Sequence, residues 1–115
     1  MEFSEISIFQ VEPDKIEEFE SVMKSAEQML RTEASCLEFH LVRRTHYIKD
    51  METIRQGLVP DEVTRIVKCV KYALYMSYRS EVEYGVAQKK LYDTYWKAID
   101  KCLIVPHDKI LGQLL

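Results

Sequence analysis

The chain has 115 residues, enough for one domain with a real core. Hydrophobic residues make up 47% and charged residues 30%, and only three Gly and three Pro are present, which excludes long flexible linkers. The net charge of −3 argues against a nucleic-acid partner, which calls for a basic face.

No run approaches the ~20 apolar residues of a membrane span. The opening MEFSEISIFQ lacks the charged-then-apolar pattern of a signal peptide, so a cytoplasmic protein with no membrane partner is expected. Cys36, Cys69 and Cys102 are odd in number and widely spaced, with no CxxC. That pattern disfavours a disulfide framework and a zinc site; reduced, semi-buried thiols are expected.

Residues 3–11, FSEISIFQV, read as a strand. Phe3, Phe9 and Val11 share one side, Ile6 and Ile8 the other, so both faces are partly apolar. The stretch from Glu12 to Glu33 reads as a helix. Pro13 suits its start, and Asp14 is the expected cap, with Glu17 three residues on. Ile16, Phe19, Val22, Met23, Ala26, Met29 and Leu30 make one apolar stripe at helical spacing.

SCLEFHLVRRTHYI returns to period two. Leu37, Phe39 and Leu41 point one way; Cys36, Glu38, His40 and Val42 point the other. DMETIRQG suggests a short helix with Asp50 as cap and Gly57 as its stop. PDEVTRIVKCVK fits either helix or strand, with a strand favoured from about Ile66.

VKYALYMSYR is a strand in which Val70, Tyr72, Leu74, Met76 and Tyr78 share a face; Ala73, Tyr75 and Ser77 share the other. The segment from Ser80 is helical, capped by Ser80, with Gly85 able to loosen its first turns. Its second half carries an aromatic-rich stripe of Tyr92, Tyr95, Trp96, Ile99 and Leu103, and Pro106 is expected to end it. DKILGQLL reads as a last strand.

The order is β-α-β-insertion-β-α-β, one domain over 1–115 with the insertion at about 45–70. This is a ferredoxin-like α+β arrangement: an antiparallel four-stranded sheet with two helices on one face. The other sheet face is partly apolar, and a homodimer stacked through it would cover it.

Pro13-Asp14-Lys15, Glu17-Glu18-Phe19, Cys36-Leu37, and Tyr72-Ala73-Leu74 through Tyr78-Arg79-Ser80 occur in an order that resembles the antibiotic biosynthesis monooxygenase (ABM) family. The resemblance covers roughly residues 3–44 and 70–115. It implies a dimeric α+β barrel with a pocket between sheet and helices. Some members oxidise aromatic molecules using only O₂, some degrade haem, and others isomerise or bind small molecules. The haem-degrading branch uses an Asn, a Trp and a His that fall near Ser7, Ala87 and Lys97 here; none matches. No cofactor is therefore expected.

Oxygenation without a cofactor needs a substrate ionised to an electron-rich anion, a base or donor, and a dry pocket. His40 and Tyr78 are the catalytic candidates. Tyr72, Tyr75, Trp96 and Arg79 are the candidates for binding a small hydrophobic or aromatic ligand. Each has a plainer reading as sheet packing, helix packing or a solvated charge. His46 and His107, near strand ends, are expected to be exposed. No metal site and no Walker, GxGxxG, HExxH or GxSxG motif is present. The expected function is oxygenation of an aromatic or quinol-like molecule. The rival readings are a non-catalytic binding or regulatory module and an isomerase.

Overall fold

The computed structural model describes residues 2–49, 51–65 and 68–115. Strand β1 (Phe3–Val11) lies inside the sheet, with β3 (Val70–Tyr78) on one side and β4 (Asp108–Gln113) on the other. Strand β2 (Glu38–Arg43) lies beyond β3, giving the order β2-β3-β1-β4 with every pairing antiparallel. The helices are α1 (Ile16–Glu33), a short α2 (Met51–Arg55), α3 (Glu81–Leu91) and α4 (Lys97–Asp100). The chain is thus α+β with the ferredoxin-like order, as the residue pattern indicates.

Period-two patterning decides the two sheet faces. Phe9, Val11, Phe39, Val70, Tyr72, Leu74, Met76 and Tyr78 are buried under the helices. Ile6, Ile8, Val42 and Ile110 are exposed on the opposite face. From α1, Phe19, Met23, Ala26 and Leu30 enter the core. The Phe19 ring lies 4.7 Å from Tyr72 and 5.5 Å from Phe9, centroid to centroid.

Four details differ from the sequence reading. Pro13–Lys15 forms a 3₁₀ turn, and no side chain caps it or α1. The Lys15 N–H donates to the Glu12 carbonyl instead, at 2.9 Å, so main chain does the work expected of Asp14. Cys36 is buried and lies before β2, not on its Glu38–Val42 face. Ser35 has φ 56°, and this left-handed residue turns Cys36 inward, where its N–H returns to the Leu30 carbonyl.

The helix after Ser80 passes straight through Gly85. It then widens into a π turn over Tyr92–Trp96 before α4. It ends at Asp100, well before Pro106, because the Cys102 carbonyl and the Ile104 N–H pair with Glu12 and Gln10 at the end of β1. The Ser80 cap is present: its hydroxyl accepts the Glu83 N–H at 3.2 Å.

Residues 45–47 and 61–63 pair with one another. Tyr47 and Val63 donate N–H groups to the carbonyls of Asp61 and Thr45, around a His46–Glu62 bridge. Gly57, at φ 79°, stops α2 as expected. Residues 60–65 form no helix, and β3 begins at Val70. The expected cap Asp50 and the strand start at Ile66 lie outside the described residues. Among the described residues, no helix is long and apolar enough to cross a membrane. Cys36, Cys69 and Cys102 are free thiols.

Phe19→Ala removes a ring fully enclosed between sheet and helix. It is expected to cost about 3–5 kcal/mol in urea unfolding, whereas Val86→Ala, on the exposed side of α3, stays within about 0.5 kcal/mol.

Candidate functional site

The chemistry gathers under α3, over the seam between β1 and β4. Glu5 points to the helix side of β1, in step with Phe3, Ser7 and Phe9, and is only 2% exposed. A carboxylate removed from water must be paired and hydrogen-bonded. Ser7 Oγ donates to Glu5 Oε2 at 2.6 Å, Tyr84 Oη donates to Oε1, and Lys109 Nζ lies 3.1 Å from Oε1. These partners come from β1, α3 and β4, so three elements converge on one side chain. Burial, then the hydrogen bond that the Tyr84 hydroxyl donates to the Glu5 carboxylate, holds the Tyr84 phenol well above its ordinary pKa. Tyr84 is therefore a donor here and not a base.

Along the helix, Tyr84, Gln88, Tyr92 and Trp96 follow at intervals of four and face the same way. The Tyr92 and Trp96 rings lie 4.7 Å apart, and the Lys109 ammonium sits 5.8 Å from the Tyr92 centroid. His107, just before β4, is stacked on Phe9 at 5.1 Å and lies 4.9 Å from Trp96. It is half-buried, not exposed as its sequence position suggests. Burial first, then the nearby Lys109 charge, lowers its pKa from 6.5, so the neutral imidazole is favoured. The π turn carries both Tyr92 and Trp96 into this group, and such turns recur at functional sites.

Glu5 and Ser7 thus form a buried polar layer at the α3–β4 seam, beside the aromatic group of Tyr84, Tyr92, Trp96 and His107. Leu111, opposite Glu5 on the helix side, is 50% exposed, because β4 is an edge strand that α3 only partly covers. Beyond Tyr84, whose ring lies 5.0 Å from Phe3, a depression of about 640 Å³ opens between Phe3, Arg79, Ser80, Val82 and Gly112. Among the described residues, no group of three His, Cys, Asp or Glu side chains could hold a metal ion.

The candidates drawn from sequence are scattered over this frame. Trp96 belongs to the aromatic group at the seam, and Arg79 lines the depression beyond Tyr84. Tyr78 is fully enclosed beneath it. Its hydroxyl donates to Met76 Sδ at 3.6 Å, its ring meets Tyr84 edge-on at 5.6 Å, and burial pushes its pKa far up. Tyr72 donates to Glu20 at 2.5 Å beside Arg43, in a separate hollow between α1 and β2. His40 and Tyr75 stack at 6.2 Å on the exposed sheet face, where Ser4 and Tyr75 hydroxyls lie 3.3 Å apart. His40 and Tyr78 thus sit on opposite faces of the sheet and do not meet within one protomer. His46 is half-buried too, with Nδ1 2.8 Å from the Thr45 hydroxyl.

Sequence reading did not single out Glu5, Tyr84 or Lys109; it weighed Ser7 only against haem ligation and set His107 aside as exposed. One signal for Glu5 was available: it is the charged residue in the run Phe3, Glu5, Ser7, Phe9, Val11 that shares the core face.

No protein-family model and no curated protein matches the sequence. Solved structures do match in fold. A protein from Caulobacter crescentus, named only provisionally as an antibiotic biosynthesis monooxygenase, superposes with a TM-score of 0.72 at 15% identity, over 99% of this chain and 90% of that one. Rv0793 from Mycobacterium tuberculosis gives 0.70 at 16% identity, over 100% and 96%. A mutant of SnoaB, a cofactor-independent oxygenase from Streptomyces nogalater, gives 0.68 at 14% identity, over 98% and 92%. The chain has the fold of the antibiotic biosynthesis monooxygenases.

The His107 environment makes a pH prediction. A folded-state pKa below the unfolded value means that the unfolded chain binds the proton more readily. The contribution of neutral His107 is full above about pH 6.5 and is lost as pH falls through the lowered folded value. Thermal unfolding midpoints measured from pH 8 to pH 5 are expected to fall less in His107→Asn than in the wild type.

Proposed function

We propose that the protein is a cofactor-independent monooxygenase of an aromatic or quinol-like small molecule, acting at the seam between α3 and β4. The observation that carries this reading is the half-buried His107 ring packed 5.1 Å from Phe9 and 4.9 Å from Trp96, a setting that favours the neutral imidazole. Support also comes from the fold shared with a protein described as a cofactor-independent oxygenase.

The chemistry asks for few parts. A substrate carbon acid or phenol loses a proton to His107. Lys109 holds the oxyanion, and the electron-rich anion gives electrons to O₂. The balance is RH₂ + O₂ → R=O + H₂O: one oxygen atom bonds to substrate carbon, the other leaves as water with the two hydrogens lost from that carbon, and the substrate supplies all four electrons that O₂ takes up. The rings of Tyr92 and Trp96 supply stacking and exclude water. Arg79, at the mouth of the depression, would meet a substrate's polar end.

The same reading includes a homodimer through the exposed sheet face, where Ile6, Ile8, Val42 and Ile110 need cover and His40 and Tyr75 stack. In this reading His40 serves the interface, and Tyr78 supports Tyr84 from below.

Oxygen uptake by the purified protein against a panel of quinols and electron-rich phenols tests the activity. Uptake is expected to fall about 10²–10⁴-fold in His107→Ala, and to be insensitive to His40→Ala beyond any loss of dimer. Proton exchange into the substrate without oxygen consumption would replace the monooxygenase with an isomerase. Binding without either reaction would leave a small-molecule-binding module.

A further inference from the structure

The depression beyond Tyr84 forms where three strands meet the start of α3. Phe3 of β1 pairs with Tyr78 of β3 on one side and Gln113 of β4 on the other. Arg79 and Ser80 then lead from Tyr78 into the helix. The volume of about 640 Å³ falls in the range of about 300–1,000 Å³ usual for small-molecule sites. Phe3 and Val82 supply apolar lining, and the Phe3 ring is held against Tyr84 at 5.0 Å. Val82 is 76% exposed, so this wall is open to a ligand arriving from solvent.

The charges in the lining are of both signs. Arg79 lines the depression together with Glu2 and Glu81. Elsewhere Arg31, Arg43 and Arg55 each pair with a glutamate. Arg79 does not: among the described residues, none forms an ion pair or hydrogen bond with its side chain, and the carboxylates of Glu2 and Glu81 are unpaired as well. A single solvated charge is ordinary. A guanidinium and two carboxylates that share one hollow without pairing are complementary to a ligand that carries both charges itself. Arginine offers a flat fork of donors that matches a carboxylate, and the glutamates accept from an ammonium. An anion alone would meet repulsion from Glu2 and Glu81, and a cation alone would meet it from Arg79.

We infer that this depression binds an aromatic amino acid as its zwitterion, with the carboxylate on Arg79, the ammonium on Glu81 and Glu2, and the ring against Phe3 and Val82. The inference rests on the proposed reading only in taking Arg79 as the contact for a ligand's polar end, and it needs no oxygen chemistry.

The test is calorimetric titration of the intact protein with L-phenylalanine, 3-phenylpropionate and 2-phenylethylamine. The second lacks the ammonium and the third lacks the carboxylate. Phenylalanine is expected to bind about tenfold more tightly than either. Arg79→Gln is expected to bind phenylalanine and phenylethylamine alike, while still preferring phenylalanine over phenylpropionate. Glu2→Gln combined with Glu81→Gln is expected to show the reverse. All three side chains are exposed. Each variant therefore loses one preference and keeps the other, which a damaged fold would not do. A wild type that binds none of the three, or that fails to prefer phenylalanine over either analogue, would overturn the inference. So would a preference that survives in the variant meant to remove it. If both preferences hold while no oxygen is consumed, only the monooxygenase reading falls.

Discussion

A carboxylate in the interior of a small domain has to be answered from several directions at once. Glu5 is answered by a hydroxyl on its own strand, a phenol from α3 and an ammonium from β4. Taking that charge out of water costs several kcal/mol unless the geometry is good, so the partners are held where they are. The placement of α3 over the β1–β4 seam follows from this as much as from apolar burial. Apolar packing tolerates sliding; a carboxylate with three assigned donors does not. The α3–β4 seam inherits its buried polar layer from that one side chain.

The two sheet faces carry two kinds of demand. Beneath the helices, Leu74, Met76 and Tyr78 close a core around Phe19 and Leu30. On the other side, apolar side chains share the surface with Ser4, Tyr75 and His40. The tyrosines of β3 are divided accordingly. Tyr72 and Tyr78 belong to the interior and Tyr75 to the open face, and each hydroxyl finds its own local contact. A strand that alternates in this way cannot deliver all its phenols to one pocket.

The fold was legible because its signals are local. Period two in Val70–Tyr78, a helical stripe from Ile16 to Leu30 and a Ser80 cap each declare themselves within a dozen residues. The misses were non-local. Asp14 looks like a cap, but a carbonyl two residues earlier had already taken the role. Pro106 looks like the end of the last helix, but pairing with Gln10 and Glu12 had captured the chain first. The site was hardest for the same reason: Glu5 is 79 residues from Tyr84 and farther still from Lys109. A π turn leaves no mark in composition, so the facing of Tyr92 toward Lys109 was not readable either.

The sheet order carries a consequence for how the chain is made. β1 emerges from the ribosome first, yet Phe3 waits for Tyr78 on one side and Gln113 on the other. Until then an apolar strand has both edges unsatisfied. The next helix made after it is α1, joined to it by the Pro13–Lys15 turn. Large loops must close before the central pairings form, which slows folding and lengthens the interval in which other chains can pair with that strand. The acidic residues of β1 and α1, Glu5, Glu17, Glu18 and Glu20, then act as gatekeepers for the nascent chain, keeping like segments apart until their own partners arrive.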